Sequence, residues 1–348
     1  MVVLCLVGLL AAACGTNKNS STTAGPKVEC ASGSISGAGS TFVQNLAQQW
    51  IKDYTVACPG TTVNYQAVGS GAGIQQFTAG TVDFGASDAT MSPTEEAAAV
   101  AKRGKVLHIP WSSGGIAIEY NVKGVKELNL APATVAGIFA GRITKWDDPT
   151  IKADNQSANL PSEGIQVIHR SDGSGTTASF TSYLTAVAGS VWTAGAGKDV
   201  PWPTGQGAKG SSGVTAAVKQ AEGAIGYAEV SFAKGGALPM AKVKNGAGNF
   251  VAPTDLAVEA ALHNDEVPDD LKIKANYTPS DSAAYPISTV TWIILFQHPA
   301  DPAKAKVLKS FVSYALGQGQ NSATALDYAP LPSSVLDKAR SAVASVQT

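Results

Sequence analysis

The sequence of 348 residues contains little charge, with only 15% Asp, Glu, Lys and Arg and a formal net charge of −1. Such a chain has no global positive field to attract nucleic acid or an anionic membrane surface, so we expect no nucleic-acid partner. Hydrophobic residues make up 44% of the sequence, which excludes a disordered or coiled-coil chain and indicates a compact globular protein. Any binding of an anion must therefore depend on local groups.

Histidine is also scarce, and the four histidines have no metal-ligand spacing; they are His108, His169, His263 and His298. Two serines lie in glycine-rich turns, Ser70 and Ser174. Neither has glycines two residues away on both sides, as a nucleophile elbow requires. We therefore expect no metal site, no cofactor and no enzymatic activity, with a phosphatase as the least favoured alternative.

Only four cysteines are present, and two of them lie near the start of the chain. Residues 1–13 form an apolar run that is too short to span a bilayer and is typical of a signal peptide. Small residues followed by Cys14 are similar to a bacterial lipobox, in which the cysteine is acylated after cleavage. We predict export and a lipid anchor on the outer face of the cytoplasmic membrane, with an ordinary secretory signal as the alternative. The polar residues 14–32 are expected to be a flexible tether.

The other two cysteines, Cys30 and Cys58, are the pair left in the folded part of the chain. In an oxidising compartment such a pair is expected to form a disulfide. A metal site would need further ligands, and the sequence offers none beside these two residues.

Helical and strand patterns alternate along the chain, which favours an α/β fold with mainly parallel sheets. The predicted strands cover 63–68, 83–86, 106–110, 115–121, 165–170 and 289–297. The predicted helices cover 41–54, 74–78, 93–102, 132–140, 176–188, 214–222 and 302–316. The length exceeds that of a usual single core, so two lobes are expected.

Three segments share one design, in which a strand leads into a Gly/Ser/Thr turn that opens a helix. They lie at 37–42, 69–73 and 172–177. A helix start has unpaired N–H donors and a partial positive charge, and glycine lets the backbone approach a ligand closely. Each turn alone is more often a simple helix cap. Together the three turns predict a site for an anion.

Two charged groups stand among these turns. Arg170 ends a predicted strand just before the third turn, where its planar fork could hold two oxygens of a tetrahedral oxyanion. Asp172 is placed to pair with it, although a surface ion pair of little consequence is the alternative. Asp88 would repel most anions, or merely cap a helix, but it favours a ligand that carries a proton to donate. Phosphate carries such a proton at neutral pH and sulfate does not.

A series of motifs occurs in order along the chain: GAGSTF, VGSGAG, VDFGASDA, WDDP, HRSDGSGT, GAIGYAE and YPIST. With these motifs the chain resembles the phosphate-binding proteins (PstS family) of bacterial high-affinity phosphate ABC importers, from about Ser34 to the C-terminus. The resemblance implies a two-lobed periplasmic-binding-protein-like fold of type II with a two-stranded hinge. It also implies an extracytoplasmic protein that captures inorganic phosphate and delivers it to the membrane subunits of the importer. We expect this protein to be a monomer. A binding protein for another oxyanion is the alternative.

The resemblance also implies a set of phosphate ligands and a division of the chain. The implied ligands are Thr41, Phe42, Ser70, Asp88, Arg170, Ser174, Gly175 and Thr176, with Asp172 orienting Arg170. Lobe 1 is expected to comprise residues 33–120 and 287–348, and lobe 2 residues 121–286. The chain is expected to cross between them near Tyr120–Asn121 and Tyr285–Pro286.

Overall fold

The computed structural model describes residues 29–263 and 266–348. The predicted signal peptide, the predicted lipidation site Cys14 and all but the last four residues of the predicted tether lie outside the described residues. Within the two described ranges, no helix is both long enough and apolar enough to cross a membrane.

Strands and helices alternate through most of the described chain. The strands are β1 (Gly33–Gly39), β2 (Thr61–Ala67), β3 (Phe84–Ser87), β4 (Val106–Asn121), β5 (Asn129–Leu130), β6 (Gln166–Arg170), β7 (Gln206–Ala208), β8 (Ala224–Glu229), β9 (Lys242–Lys244), β10 (Phe250–Val251) and β11 (Ser288–Phe296). The helices are α1 (Gln44–Ala57), α2 (Ser70–Ala79), α3 (Pro93–Arg103), α4 (Pro132–Phe139), α5 (Pro149–Asp154), α6 (Gly175–Ala188), α7 (Gly210–Gln220), α8 (Val230–Gly235), α9 (Asp255–Leu262), α10 (Pro302–Ala315) and α11 (Ser333–Ala344). Two short 3-10 helices cover Gln318–Ser322 and Thr324–Leu326.

Eight of these strands form one sheet in the order β2-β1-β3-β11-β4-β8-β6-β7. Pairing is parallel among β2, β1 and β3 at one end and among β8, β6 and β7 at the other. Pairing is antiparallel around β11 and β4 in the centre. A small second sheet has the order β10-β9-β5. The predicted α/β fold with mainly parallel pairing is confirmed.

Strand β4 belongs to both ends of the large sheet. Its residues up to Gly115 pair with β11, and its residues from Ile116 onward pair with β8. The N–H of Ile116 donates to the carbonyl of Ile287 at 2.8 Å, so the two stretches of chain that connect the ends of the sheet lie side by side. We call β2, β1, β3, β11 and the first part of β4 the first half-sheet, and the remaining strands the second half-sheet. The lobe bounds given above stay a prediction.

The helices follow the apolar spacing of the sequence. In α1 the buried residues Leu46, Trp50 and Tyr54 recur every four residues and form one apolar face. The ring of Trp50 packs 5.4 Å from that of Trp111 on β4, and its indole N–H donates to the carbonyl of Gly319 at 2.7 Å. This packing holds the middle of α1 against β4 and against the first 3-10 helix.

The predicted disulfide is confirmed. Cys30 and Cys58 are bonded, with their Cα atoms 5.3 Å apart. Cys58 is the residue that ends α1, so the bond ties the chain just before β1 to the far end of that helix.

Candidate functional site

Five strand-to-helix connections meet where the two half-sheets face each other. They are the turn after β1, the turn after β2, the end of β3, the turn after β6 and the turn after β7, and they contribute Thr41, Ser70, Asp88, Ser174 and Ser211. The carboxyl ends of parallel strands lie at one edge of a sheet, so each half-sheet brings its own turns together. The three Gly/Ser/Thr turns singled out by sequence are all among them.

Direct hydrogen bonds join the turns of the two half-sheets. The N–H of Gly71 donates to the carbonyl of Gly173 at 2.8 Å, and the hydroxyls of Thr41 and Ser211 are 2.9 Å apart. Ser179 donates to the carbonyl of Asp88 at 3.2 Å. The polar residues at this junction are almost fully buried, with exposures between 0% and 6%: Ser40, Thr41, Ser70, Asp88, Arg170, Ser174, Thr176 and Ser211. The structure therefore has a polar cluster enclosed between two halves of the molecule.

Two glycines make this close approach possible. A Cβ at Gly175 would lie 2.6 Å from the backbone nitrogen of Asp88 and 2.7 Å from the hydroxyl of Ser70. A Cβ at Gly69, where φ is +95°, would lie 2.3 Å from a carboxyl oxygen of Asp172. Each position excludes a side chain because the neighbouring atoms belong to the other half of the molecule.

The guanidinium of Arg170 is held by Asp172. Its Nε and Nη2 donate to the two carboxyl oxygens at 2.8 and 2.5 Å, and the N–H of Gly210 donates to the same carboxylate at 3.0 Å. Burial alone would raise the pKa of Asp172, but the hydrogen bonds and charge of Arg170 outweigh it and lower that pKa. Asp172 is thus held in its charged form and fixes the plane of the guanidinium. Within residues 29–263 and 266–348, Nη1 of Arg170 makes no hydrogen bond, so one donor of the fork is free for a ligand.

The carboxyl group of Asp88 has two oxygens with different surroundings. Oδ1 accepts hydrogen bonds from Ser40 at 2.5 Å and from Thr291 at 2.8 Å. Among the described residues, the hydrogen-bond contacts of Oδ2 are long, 3.5 Å from Ser70 and 3.4 Å from Thr176. Burial raises the pKa of Asp88, and the hydrogen bonds together with the charge of Arg170 offset only part of that rise. Oδ2 therefore keeps the capacity to accept a strong hydrogen bond from a ligand.

Helix α6 follows β6 of the second half-sheet and begins at the site. The backbone N–H groups of its first turn are therefore located at the site. Ser174 caps the helix by accepting from the N–H of Thr177 at 3.1 Å. The N–H groups of Gly175 and Thr176 are in the first turn, where a helix has no partners of its own for them. The backbone here can donate to a negatively charged oxygen.

The turn after β1 is fixed by two tyrosines. Tyr65 donates to the carbonyl of Ser40 at 2.6 Å, and Tyr328 donates to the carbonyl of Phe42 at 2.6 Å. A peptide N–H points opposite to its carbonyl, so these bonds also fix the direction of the N–H groups that follow. The ring of Phe42 itself is fully buried and packs edge-on against Tyr328.

All predicted ligand residues lie in or beside this cluster, and three further residues that were not predicted as ligands also form it. Ser40 was noted only as part of a motif, although it makes the shortest bond to Asp88. Thr291 and Ser211 were not singled out. Ser211 could have been found by the same rule as the other turns, since Gly210 and Ser211 open α7 directly after a strand.

The histidines, and the cysteines among residues 29–263 and 266–348, are not part of the polar cluster. His169 stacks on Trp202 with ring centroids 4.7 Å apart, and the buried His108 accepts from the backbone N–H of Met91. Burial lowers the pKa of His108 to about 4. In the part of the chain that the structure describes, no group of three or more His, Cys, Asp or Glu residues is arranged to hold a metal ion.

Comparisons with a family model and with known proteins agree on the family of this chain. The model of a PBP superfamily domain matches residues 24–318. The phosphate-binding protein PstS of Pasteurella multocida is 40% identical over 309 residues, which cover 87% of this chain and 88% of that protein. The phosphate-binding protein PstS 3 of Mycobacterium tuberculosis is 36% identical over 360 aligned positions, which cover 99% of this chain and 97% of that protein.

Solved structures are similar over most of the chain. A high-affinity periplasmic phosphate-binding protein (PfluDING), solved with bound phosphate, has a TM-score of 0.74 and 26% identity, covering 89% of this chain and 93% of that one. A phosphate ABC transporter substrate-binding protein from Clostridium perfringens has a TM-score of 0.63 and 19% identity, covering 86% and 100%; this second likeness concerns the fold. The predicted periplasmic-binding-protein-like fold is confirmed.

Proposed function

The chain belongs to the PstS family of phosphate-binding proteins within the PBP superfamily, and we propose that it captures inorganic phosphate and delivers it to a phosphate ABC importer. Members of this family bind and hand over a substrate and are not enzymes. The single observation that supports phosphate as the ligand is the presence of a buried acid, Asp88, in the same enclosed cluster as Arg170.

A carboxylate in an anion site is costly unless the anion supplies a hydrogen to it. Monobasic and dibasic phosphate both carry such a hydrogen at neutral pH. Oδ2 of Asp88 accepts it, because Oδ1 is already occupied by Ser40 and Thr291. Sulfate would place a bare oxygen against the carboxylate and is therefore rejected.

The other oxygens of phosphate are held by donors from both half-sheets. The proposed ligands are Thr41, Phe42, Ser70, Asp88, Arg170, Ser174, Gly175 and Thr176. Arg170 donates through the part of its fork that Asp172 leaves available. The N–H groups at the start of α6 add donors without adding net charge, which suits a chain whose formal net charge is −1.

Phosphate favours the closed arrangement because its ligands lie on two lobes. In the open form each lobe carries half of the site, and a ligand shifts the balance toward closure only by its greater affinity for that state. The hydrogen bonds between Gly71 and Gly173 and between Thr41 and Ser211 belong to the closed state. The transporter recognises this closed form.

The start of the sequence supports a location outside the cytoplasmic membrane. Cleavage before Cys14 and acylation of this cysteine would anchor the protein to the outer face of the membrane, close to the importer. The confirmed disulfide between Cys30 and Cys58 suits an oxidising compartment. The protein is proposed to act as a monomer, with residues 14–32 as the tether.

Isothermal titration with phosphate and with sulfate tests this function. We expect one phosphate per chain and no measurable sulfate binding at pH 7.5. At a phosphate concentration about a hundred times the dissociation constant, the free energy of unfolding should rise by about 2.7 kcal/mol. Equal binding of both anions would indicate a general oxyanion-binding protein, and no binding of either would contradict the proposal.

A further inference from the structure

Ser211 joins the two half-sheets at the binding site without being one of the proposed ligands. It lies in the first turn of α7 and is fully buried. Its N–H donates to the hydroxyl oxygen of Thr41 at 3.2 Å, and its own hydroxyl oxygen is 2.9 Å from the same atom. Ser211 therefore contacts the hydroxyl of Thr41, the side-chain group through which this proposed ligand would donate to phosphate.

The hydrogen-bonding capacity of the Thr41 hydroxyl limits what this contact can do. A hydroxyl oxygen has one proton to donate and two lone pairs that accept. The backbone N–H of Ser211 can only donate, so it occupies one lone pair of the Thr41 oxygen. The remaining choice is whether the Ser211 hydroxyl donates to Thr41 or accepts from it.

A bound anion determines which of the two hydroxyls, that of Thr41 or that of Ser211, donates to the other. A hydrogen bond from a hydroxyl to a charged oxygen is about twice as strong as one between two neutral hydroxyls. The proton of Thr41 is therefore directed to the anion, and the Ser211 hydroxyl donates to Thr41. Hydrogen bonds in such a chain polarise and strengthen one another.

We infer that Ser211 is a positioning residue that makes Thr41 an obligatory hydrogen-bond donor to the ligand. With both lone pairs of its oxygen occupied, Thr41 cannot accept the proton of phosphate and can only donate to a phosphate oxygen. The proton of phosphate is thereby left for Asp88 to accept. This inference rests on the proposed function and names a further residue that orients the ligand.

The geometry also predicts when Ser211 acts. Thr41 follows β1 of the first half-sheet, and Ser211 follows β7 of the second. Their bonds form only when the halves meet, so the loss of the Ser211 hydroxyl should speed phosphate release and leave the association rate unchanged. The start of α7 also holds Asp172 of its own half-sheet, through the N–H of Gly210.

A double-mutant cycle tests the inference, with S211A, T41V and the pair compared by titration and stopped-flow release of phosphate. Ser212 is exposed in the same helical turn, so S212A is the matched control. Loss of one hydrogen bond between neutral groups should weaken binding by S211A about 3- to 10-fold, almost all of it in the dissociation rate. In the T41V background the same change should have less than about a twofold effect, because the group that Ser211 orients is absent.

Three results would overturn the inference. They are equal affinities of S211A and S212A, an undiminished effect of S211A in the T41V background, and a slower association rate as the main change. Thermal melting without phosphate checks that all four variants fold. If the wild-type protein itself fails to bind phosphate, the proposed function fails together with this inference, whereas failure of the inference alone leaves wild-type binding intact.

Discussion

At the scale of single residues, the proposed selectivity for phosphate depends on the buried acid Asp88 and on the charge of Arg170. The pKa of Asp88 is raised chiefly by burial, while the charge of Arg170 and the bonds from Ser40 and Thr291 act in the opposite direction. A raised pKa means that Asp88 takes up a proton at a higher pH than an ordinary aspartate does. A protonated Asp88 would donate a hydrogen and could then face a bare oxygen.

Sulfate binding should therefore depend on pH through Asp88. Above the pKa of Asp88 the carboxylate excludes sulfate; as the pH falls through that pKa, sulfate affinity of the wild-type protein should rise. The Asp88→Asn variant has no titratable carboxyl group at this position. It should bind sulfate at pH 7.5, and its sulfate affinity should change little with pH. Titration calorimetry from pH 7.5 downward measures both.

Asp83 provides the control for this prediction. It lies just before β3 and is paired with Lys304 away from the site, so Asp83→Asn should keep the sulfate discrimination of the wild type. Full discrimination by Asp88→Asn would show that the proton of phosphate is not what Asp88 recognises.

Arg170 should be essential for affinity. Arg170→Ala removes the cation that would pair with the enclosed phosphate, and loss of one partner of a buried charge pair costs about 3–5 kcal/mol. This corresponds to a loss in phosphate affinity of roughly 100-fold or more. The exposed Arg142 is the control, and Arg142→Ala should bind phosphate within about twofold of the wild type. An Arg170→Ala variant with near-normal affinity would rule out its proposed role.

At the scale of helices and strands, the site is built from helix starts that follow parallel strands. The sequence predicted the turns before α1, α2 and α6 because glycine, serine and threonine cluster there. It placed the start of α7 four residues late, at Val214. Gly210 and Gly213 lower helix propensity, and the helix begins at Gly210 because its first N–H groups bond Asp172 and Thr41 of neighbouring segments.

The central strand shows a second limit of sequence patterns. Residues 106–110 and 115–121 were predicted as two strands, since Pro110 and Gly114 interrupt the pattern. They form the single strand β4 because it pairs with β11 and then with β8. The register shifts between Thr291 and Trp292, where Trp111 of β4 is left without a partner in the pairing with β11. Such an irregularity changes the direction in which the neighbouring side chains point. The contact of Thr291 with Asp88 could therefore not be predicted from the alternation of side chains between the two faces of a strand.

Gly175 at the start of α6 should be needed for closure rather than for folding. The Cβ of Gly175→Ala would meet Asp88 and Ser70 at less than 3 Å, and opening of the two halves relieves this contact. We expect a loss of phosphate binding of at least about tenfold, equivalent to about 1.4 kcal/mol, with the melting temperature without phosphate nearly unchanged.

Gly213 in the first turns of α7 is the matched position. A Cβ there would have only ordinary contacts of 3.7 Å and more, so Gly213→Ala should bind phosphate normally. Normal binding by Gly175→Ala would mean that the two halves do not need to approach as closely as the structure shows.

At the scale of the whole molecule, stability and binding are carried by different regions. The disulfide between Cys30 and Cys58 closes a loop with a sequence separation of 28. In the chain-entropy model this contributes about 3–4 kcal/mol. It lies at the end of α1 opposite to the binding turn, about 20 Å away along a 14-residue helix.

Removal of the disulfide should therefore lower stability and leave affinity intact. A Cys30→Ser, Cys58→Ser double variant should melt several degrees lower than the wild type, as measured by calorimetry. Its phosphate dissociation constant at 25 °C should stay within about twofold of the wild-type value. A large loss of affinity in a fully folded variant would contradict the separation of the two regions.

The proposed function requires that one phosphate ion is enclosed by both halves of the molecule. A crystal structure of the protein grown with phosphate at neutral pH tests this most directly. We predict a single phosphate whose oxygens contact Arg170, the first turn of α6 and Thr41, with one oxygen within hydrogen-bonding distance of Oδ2 of Asp88. A phosphate bound elsewhere, or bound by Arg170 with Asp88 turned away from it, would contradict the account.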